Sequence, residues 1–464
     1  MPSFRTERDA LGSRELPREV RYGIHTLRAL ENFPLLGRPC HPALLRAFGA
    51  VKLAALRTNR ALGFIGEPEA SALEQACQEL LEGRLLSDLP VDALQGGAGT
   101  STNLSVSEVL ASRALELLGE PCGRWDRISP VDHVNLHQST NDTFPTALRI
   151  AAIHGLHTLE RAVLGLQEAF QAKEKAFAHI VKVGRTELQD AVLTTLGREM
   201  GAYAEALNRD RWRLAKAEER LRVVNLGGTA IGTGLGAPRA YIFRVVEELR
   251  DITGLGLARA ENLVEATQNA DVFVEVSGLL KALATTLLKI SSDLRLLGSG
   301  PEAGLGELRL PPRQAGSSIM PGKINPVIPE AVTQAAILVM AHDQAIATAV
   351  ALGSLELPPF LPLVAHGLLE SLDLLARACT ILRAHCVEGL EANEARCRAH
   401  LENGTAAATA LLPLLGYEAT CALVARAQAE GRSLLAQGVA EGLFTEAQFR
   451  ELTSPEAVNR LGGR

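Results

Sequence analysis

Residues able to do chemistry are most concentrated between positions 316 and 330, which read Gly-Ser-Ser-Ile-Met-Pro-Gly-Lys-Ile-Asn-Pro-Val-Ile-Pro-Glu. Two hydroxyls, Ser317 and Ser318, precede the ammonium of Lys323 and the amide of Asn325. The prolines and glycines among them prevent a helix or a central strand through the middle of the stretch. The sequence therefore predicts a loop. Polar loops of this length are commonly functional, and the composition also suits a surface linker.

A second polar segment, residues 95–103, is rich in glycine and ends in hydroxyl groups that include Thr100 and Ser101. A helix is predicted to follow it, from about residue 105 to 118. Free backbone N–H groups at a helix start attract anions, so the segment suits an anion site. It equally suits an ordinary capping turn. The lysine of a phosphate-binding P-loop is missing, which argues against a nucleotide site.

A third cluster, residues 137–145, reads His-Gln-Ser-Thr-Asn-Asp-Thr-Phe-Pro and precedes a long stretch of helical periodicity. Ser139, Thr140 and Asn141 are therefore expected at the start of a long helix, either as capping residues or as donors to a ligand. Pro145 is expected in the first helical turn, where proline is well tolerated.

Two more segments separate predicted helices. Residues 184–190 are expected to be a short polar insertion between helical runs. Residues 225–236 are rich in glycine but have no preceding strand and the wrong spacing for a dinucleotide site, so a close turn between helices is predicted.

His137, at the start of the 137–145 cluster, is expected to be a packed or capping residue.

Long helices account for much of the remaining chain. Apolar side chains recur at steps of three and four through residues 271–297, which predicts one helix of roughly 40 Å. Further apolar helices are predicted after Pro329 and over residues 364–385. Strand patterns are almost absent, so the predicted fold class is mainly α. Such long helices need apolar partners on several faces, which indicates a bundle completed by other subunits.

The helical pattern predicts three domains. These are a mixed, mostly helical domain over residues 1–140, a central long-helix bundle over 141–395, and a small helical domain over 396–464. The net charge of −6 disfavours nucleic acid and anionic membranes as partners. Without a signal peptide or an apolar spanning stretch, a cytoplasmic location is expected. The seven cysteines and eleven histidines show no paired spacing, so reduced thiols and no metal or cofactor are expected.

Residues 316–326 resemble the signature of the aspartase/fumarase superfamily, and the resemblance runs from about residue 6 to 453. Three more segments match the family in the same chain order: 97–103, 138–145 and 184–191. Segments 22–33 and 325–330 are closer to aspartate ammonia-lyases than to class II fumarases, and so is Thr140. Residues 142–145 have the more fumarase-like form.

The resemblance implies a mostly helical homotetramer, with a central bundle built from four chains and each active site assembled from three of them. The implied substrate is a small dicarboxylate or amino dicarboxylate. The implied reaction removes a proton beside a carboxylate, stabilises the resulting aci-carboxylate, and expels ammonia or water from the next carbon. Such chemistry needs a base near the acidic carbon and preorganised donors around the carboxylate.

Matching positions carry the implied roles. Ser317 matches the general base. Nearby backbone N–H groups and Lys323 would stabilise the alkoxide form of this serine. The donors expected around the aci-carboxylate are Thr100, Ser139, Thr140 and Ser318, and Ser101 is also expected to contact substrate. Lys323 and Asn325 match the clamp on the other carboxylate. Asn141 and Thr186 match contacts to the leaving amine and the adjacent carboxylate.

Glu187 departs from the histidine or glutamine found in relatives. An ionised carboxylate facing the site would attract a substrate ammonium, which favours an amino acid over malate. Alternatively, Glu187 turns outward and pairs with a residue such as Arg185. The leading expectation is an aspartate ammonia-lyase, with a class II fumarase or a lyase for another amino dicarboxylate as alternatives. A catalytically silent homologue is disfavoured because Ser317 and Lys323 are both present.

Overall fold

The computed structural model describes residues 4–460. Helices dominate this part of the chain, which confirms the predicted mainly α class. Within the same residues, no helix is both long and apolar enough to cross a membrane. In chain order the helices are α1 (Ile24–Asn32), α2 (Pro42–Ala61), α3 (Glu69–Leu81), α4 (Thr100–Leu117), α5 (Thr140–Ala176), α6 (Leu196–Leu221), α7 (Arg239–Thr253), α8 (Leu263–Gln268), α9 (Asp271–Leu297), α10 (Val327–Ala351), α11 (Leu361–Leu382), α12 (Glu394–Asn403), α13 (Ala408–Leu415), α14 (Tyr417–Glu430), α15 (Leu434–Ala440), α16 (Glu446–Leu452) and α17 (Pro455–Asn459).

The strands are short and associate in pairs. They are β1 (Phe4–Asp9), β2 (Gly12–Pro17), β3 (Val181–Thr186), β4 (Gln189–Thr195), β5 (Val223–Val224), β6 (Ala258–Arg259), β7 (Leu308–Arg309) and β8 (Glu391–Ala392). The pairs β1–β2, β3–β4 and β7–β8 are antiparallel, whereas β5–β6 is parallel.

Residues 184–190 lie between α5 and α6, as predicted, and they form part of the β3–β4 hairpin, which the sequence did not predict. Its register pairs Thr186 with Gln189 and shifts between Val183 and Arg185. Gly184 stands at this irregularity, where an added Cβ would come within 2.7 Å of a backbone oxygen of the facing strand. The alternating apolar pattern is only a few residues long, so the helical patterns on either side obscured it.

The long-helix predictions are confirmed. The helix expected over residues 271–297 coincides with α9, and the two apolar helices expected later are α10 and α11. The helix after the glycine-rich segment begins at Thr100, five residues before the predicted start. The stretch 225–236 is a turn segment that precedes α7, as expected. The expectation that no strand precedes it was wrong, because the two-residue β5 ends at Val224; a strand this short leaves no alternating pattern in the sequence.

The chain divides into two compact units, each assembled from separate parts of the sequence. The first unit comprises residues 4–160, 213–282 and 338–375. Its centre is α2, which begins at Pro42 behind a cap by His41 and is buried over most of its length. Pro42 lacks an N–H that a helix start would leave unpaired in any case, so it suits this position.

The second unit comprises residues 161–212, 283–337 and 376–460. Its C-terminal part, from α12 to α17, is helical and includes a turn at Gly416 with φ 75°. A separate apolar cluster holds that region together, formed by Leu401, Ala407, Leu411, Leu423, Ala427, Leu434, Phe444 and Phe449. Residues 461–464, the last four of the C-terminal domain predicted from sequence, lie outside the described range.

Candidate active site

The glycine-rich segment turns sharply into α4 and places Thr100 and Ser101 in its first turn. Gly97, Ala98 and Gly99 all have positive φ. A side chain at Gly99 would come within 2.2 Å of the Phe144 ring, so only glycine allows the starts of α4 and α5 to approach each other here. The turn therefore serves both to expose the hydroxyls and to bring two helix starts together.

Ser139, Thr140 and Asn141 lie at the start of α5, as predicted. The Ser139 hydroxyl accepts a hydrogen bond from the Asn141 N–H at 3.2 Å. The buried hydroxyl of Thr140 accepts one from Asn103 Nδ2 of α4 at 3.1 Å. The first unit thus brings Thr100, Ser101 and these three residues onto two adjacent helix starts joined by Asn103.

Asp142 fastens α5 to the turn segment 225–236. One of its carboxylate oxygens accepts from the Ser139 N–H at 3.0 Å, and the other accepts from the N–H groups of Gly227 and Thr229 at 3.1 and 3.0 Å. Burial raises the pKa of Asp142 to about 6, although these three N–H groups favour the ionised carboxylate. Sequence reasoning missed this role. The available signal was a carboxylate inside a cluster of hydroxyls and amides.

Pro145 is the sixth residue of α5, one turn later than predicted. Because proline has no N–H, the carbonyl of Asn141 loses its ordinary helical partner. Asn225 replaces that partner by donating Nδ2 to the Asn141 oxygen at 2.9 Å. Asn141 in turn donates its own side-chain amide to the Ala230 oxygen at 2.7 Å. The turn segment therefore supports the donors of α5 by contacts in both directions.

His137 is a packed residue, as expected. Its Nδ1 lies 2.7 Å from Asn59 Oδ1, and its ring contacts those of Phe64 and Tyr241 with centroids 4.7 and 5.4 Å away. Burial lowers the pKa of His137. These contacts make His137 a packed residue of the segment that precedes α5.

The segment before α10 is a loop in the second unit, as predicted, and it holds Ser317, Ser318, Lys323 and Asn325. The loop closes on itself, because the Gly316 N–H donates to the Lys323 oxygen and the Asn325 amide donates to the Gly316 oxygen, both at 2.9 Å. The Lys323 ammonium donates to Asn325 Oδ1. The charge and the amide expected to hold a carboxylate are thus already adjacent.

Ser317 is half-buried, and its oxygen accepts hydrogen bonds from two backbone N–H groups. The donors are Ile319 at 3.2 Å and Met320 at 3.1 Å. Donors directed at a hydroxyl oxygen favour its ionised form, since they stabilise negative charge there. This geometry is the kind that could activate an otherwise weak serine base.

Thr186 and Glu187 lie at the exposed end of the β3–β4 hairpin, where Glu187 and Leu188 form the two-residue turn. Both turn residues have left-handed backbone, with φ 53° and 63°. Hairpin turns of this kind normally use asparagine or glycine, because other residues are strained there. The strained turn fixes where Glu187 projects from the hairpin.

Within the part of the chain that the structure describes, Glu187 does not form the alternative outward pair with Arg185. Arg185 instead donates to Glu307 at 2.7 and 3.1 Å and lies 3.6 Å from Asp190. Glu307 is fully buried and also contacts Lys182 at 3.1 Å and His400 at 2.9 Å. Burial opposes its ionisation, but the Arg185 hydrogen bonds and the neighbouring cations outweigh that effect and hold the pKa of Glu307 below its usual range. The base of the hairpin is thereby anchored by a buried carboxylate.

The predicted site residues fall into three groups. Two helix starts in the first unit hold Thr100, Ser101, Ser139, Thr140 and Asn141. In the second unit, one loop holds Ser317, Ser318, Lys323 and Asn325, and the hairpin end holds Thr186 and Glu187. Within residues 4–460, no group of three or more histidine, cysteine, aspartate or glutamate side chains could hold a metal ion. All seven cysteines are free thiols.

Comparisons with known proteins place this arrangement in a family. Residues 12–341 match the family model described as Lyase, and residues 408–459 match the one described as Fumarase C C-terminus. The chain belongs to this lyase family, which confirms the superfamily predicted from the four motifs.

Individual relatives match along nearly the whole chain. The aspartate ammonia-lyase of Pseudomonas canavaninivorans is 46% identical over 457 residues, which cover 98% of this chain and 96% of the relative. A solved structure described as fumarate lyase:delta crystallin from Brucella melitensis bound to cobalt is 45% identical, with a TM-score of 0.95 over 98% of this chain and 100% of that one. The class II fumarase of Schistosoma mansoni is 30% identical, with a TM-score of 0.92 over 98% and 99%.

Proposed function

We propose that the protein is an aspartate ammonia-lyase, which converts L-aspartate reversibly into fumarate and ammonia. The observation that carries the proposal is the 46% identity to the Pseudomonas canavaninivorans aspartate ammonia-lyase over nearly the full length of both chains. The groups that such a reaction needs are present on the elements described above. They comprise a serine with donors at its oxygen, one exposed ammonium, and several uncharged donors at helix starts.

In the proposed mechanism, the Ser317 alkoxide removes a proton from C3 of aspartate. The carbon acid is weak, so the two N–H groups that point at Ser317 Oγ matter because they favour the alkoxide. The electron pair left on C3 delocalises into the adjacent carboxylate, which becomes a dianionic aci-carboxylate. Collapse of this intermediate forms the C2–C3 double bond of fumarate and breaks the bond from C2 to nitrogen, which releases ammonia.

Uncharged donors are proposed to surround the carboxylate that gains charge. They are Thr100, Ser101, Ser139, Thr140 and Ser318. Hydroxyls and helix-start N–H groups suit this task because they concentrate positive dipole where charge develops and need no reorganisation during the reaction. The loop bearing Ser317 and Ser318 is proposed to act as a lid that closes over the bound substrate.

The remaining site residues are proposed to hold the other end of the substrate. Lys323 and Asn325 bind the second carboxylate by one charge and one directional amide, and their mutual contact keeps them together. Asn141 and Thr186 contact the leaving amine and the carboxylate beside it. Glu187 would attract the substrate ammonium, and its fixed position at the strained hairpin turn supports this role.

We further propose a homotetramer in which three subunits contribute to each active site. The need for partners is supported by Ile337 and Leu338 of α10, which are 54% and 42% exposed in the single chain. A three-domain division at residues 140 and 395 and a cytoplasmic location belong to the same proposal. The beginning of α12 at Glu394 is consistent with the second boundary.

A class II fumarase is the second candidate. The match to the Schistosoma mansoni enzyme and the fumarase-like segment from Asp142 to Pro145 favour it. In that reaction water, rather than ammonia, would leave the carbon beside the one deprotonated. Because the carboxylate chemistry is shared, the leaving group is what separates the two candidates.

The test is to incubate purified protein with L-aspartate and with L-malate in parallel and to follow fumarate by its ultraviolet absorbance. Fumarate formed from aspartate alone is the expected result. Fumarate formed only from malate would overturn the proposal in favour of the second candidate. Ser317→Ala reports whether the activity belongs to this site, and Ser13→Ala, in β2, is the matched control for a serine substitution.

A further inference from the structure

Lys52 lies in the middle of α2 and is only 1% exposed. Its ammonium donates to Asn135 Oδ1 at 2.9 Å and to Gln138 Oε1 at 3.1 Å, so both partners are neutral amides. Both amides belong to the segment that leads directly into Ser139 and Thr140. A buried charge is costly to keep, so a lysine with such partners calls for an explanation beyond packing.

A continuous chain of hydrogen bonds connects Lys52 to Thr140. Asn135 Oδ1, which accepts from Lys52, also accepts from Asn103 Nδ2 at 3.0 Å. The same Asn103 Nδ2 donates to Thr140 Oγ1 at 3.1 Å. Three contacts therefore lead from a buried amine to a hydroxyl at the proposed substrate site, and all of them lie within the first unit.

The chemistry of these groups fixes which group donates and which accepts at each step of this series of hydrogen bonds. An ammonium offers donors only, so the Asn135 atom beside Lys52 must be the oxygen. That oxygen can only accept, so Asn103 must present its NH2 group to it. Since this NH2 group also faces Thr140, the Thr140 oxygen accepts, and its single hydrogen remains available to a ligand. If the Asn103 amide were reversed, Thr140 would donate inward and lose that hydrogen for the substrate.

We propose that Lys52 is a positioning residue which, through Asn135 and Asn103, fixes Thr140 as a hydrogen-bond donor to the substrate carboxylate. This inference rests on the proposed function, since it assigns Thr140 to the carboxylate that gains charge. Lys52 itself touches no substrate atom. Its role is to set the orientation of two amides whose alternative orientations differ little in shape.

The charge state of Lys52 is compatible with this role. Burial lowers the pKa of Lys52 to about 7, and the nearby Asp142 opposes that effect. A neutral amine still has two N–H bonds, which match the two amide oxygens that accept from it. The ammonium enforces the direction most strongly because it has no lone pair with which to accept.

The test compares five variants with wild type in the aspartate deamination assay. Thr140→Val removes the donor and should lower kcat by about 100-fold or more, as for loss of one preorganised donor to a developing oxyanion. Lys52→Met removes the source of the orientation but keeps Thr140, and should lower kcat by at least roughly fivefold with KM within about threefold. A fall in kcat without a matching rise in KM is expected because the Thr140 donor stabilises charge that develops in the transition state more than it stabilises bound substrate.

Asn103→Asp tests the direction of hydrogen-bond donation between Lys52 and Thr140 without changing any residue of α2. A carboxylate at this position accepts only, so Thr140 must donate inward, and kcat should fall about as far as in Thr140→Val. Asn103→Leu removes the contact without adding a charge and should cause a smaller loss. Should the leucine variant lose as much as the aspartate variant, the direction of donation would not be the cause.

Asn59→Ser is the matched control. Asn59 stands two turns further along α2 and holds the same segment, through the Leu136 oxygen at 3.1 Å and His137 Nδ1 at 2.7 Å, but lies outside the chain to Thr140. Its kcat should stay within about threefold of wild type. A loss equal to that of Lys52→Met would attribute the effect to loosening of the segment and overturn the inference.

Circular dichroism and the oligomeric size of each variant establish that it is folded before its kinetics are compared. A folded Lys52→Met variant whose kcat falls less than fivefold overturns the inference. If Lys52→Met does not fold, the two Asn103 variants decide the question by themselves. If wild type forms no fumarate from aspartate, the proposed function fails first. If Thr140→Val behaves as expected and Lys52→Met does not, only the present inference fails.

Discussion

Replacing Lys52 by methionine should change how the stability of the protein depends on pH. The substitution removes a fully buried amine while keeping an unbranched side chain of similar length. In the folded protein this amine has two neutral amide partners, and Asp142 is the main nearby charge that favours its protonated form. In the unfolded chain it is surrounded by water.

The sign follows from the proton balance of folding. Burial lowers the pKa of Lys52 from 10.5 to about 7, so folding releases a proton between these two values. The unfolded state binds more protons in this window, and stability therefore rises with pH across it. One pKa unit corresponds to about 1.4 kcal/mol. From pH 7 to pH 9, wild type should gain roughly 2–3 kcal/mol in unfolding free energy relative to Lys52→Met.

The measurement is urea unfolding of wild type and Lys52→Met at pH 7, 8 and 9. Protein concentration is held fixed because the stability of the proposed tetramer would depend on it. Lys216→Met, at an exposed lysine of α6, controls for the loss of a positive charge from the unfolded chain. If the difference between wild type and Lys52→Met varies by less than about 0.5 kcal/mol over this range, the reasoning about the buried amine is refuted.

Three other substitutions probe separate features. Ser317→Ala should lower kcat for deamination at least about 1,000-fold while leaving the proposed tetramer intact, and substantial remaining activity would remove Ser317 from the role of base. Asn225→Ala should lower the unfolding free energy by roughly 1–3 kcal/mol, because the partly buried Asn141 carbonyl of α5 loses its donor. Thermal unfolding measures this change, and an unchanged midpoint would contradict the contact. Leu188→Gly should raise stability by about 1 kcal/mol by relieving the left-handed turn, and a lower midpoint would show that no strain is stored there.

Helix positions were predictable from sequence where apolar periodicity was long and unbroken. The pattern in residues 271–297 gave α9 with both of its ends, because a helix of seven turns repeats the signal many times. The β3–β4 hairpin was missed because each of its strands is too short for alternation to stand out between long helices. Its turn also lacks the asparagine and glycine that usually mark hairpins.

The polar clusters of the candidate site were also recognisable from sequence, since hydroxyls, amides and a lysine between glycines and prolines have few structural reasons to occur together. Their supports were not recognisable. Lys52 and Glu307 look like ordinary charged residues in the sequence, and only the folded chain shows that both are buried. Burial of a charge depends on which elements pack over it, and residue spacing within one element does not record that.

Pro145 and Asn225 have a consequence for how this chain can change over evolutionary time. The proline creates an unpaired carbonyl, and an asparagine 80 positions later supplies its donor, so neither residue is independent of the other. Loss of the asparagine alone leaves the Asn141 carbonyl without its donor. A chain with a residue other than proline at 145 supplies that donor from its own backbone N–H and no longer requires the asparagine. The two positions should therefore vary together among descendants of this sequence, and their joint variation would reveal the contact without any structure.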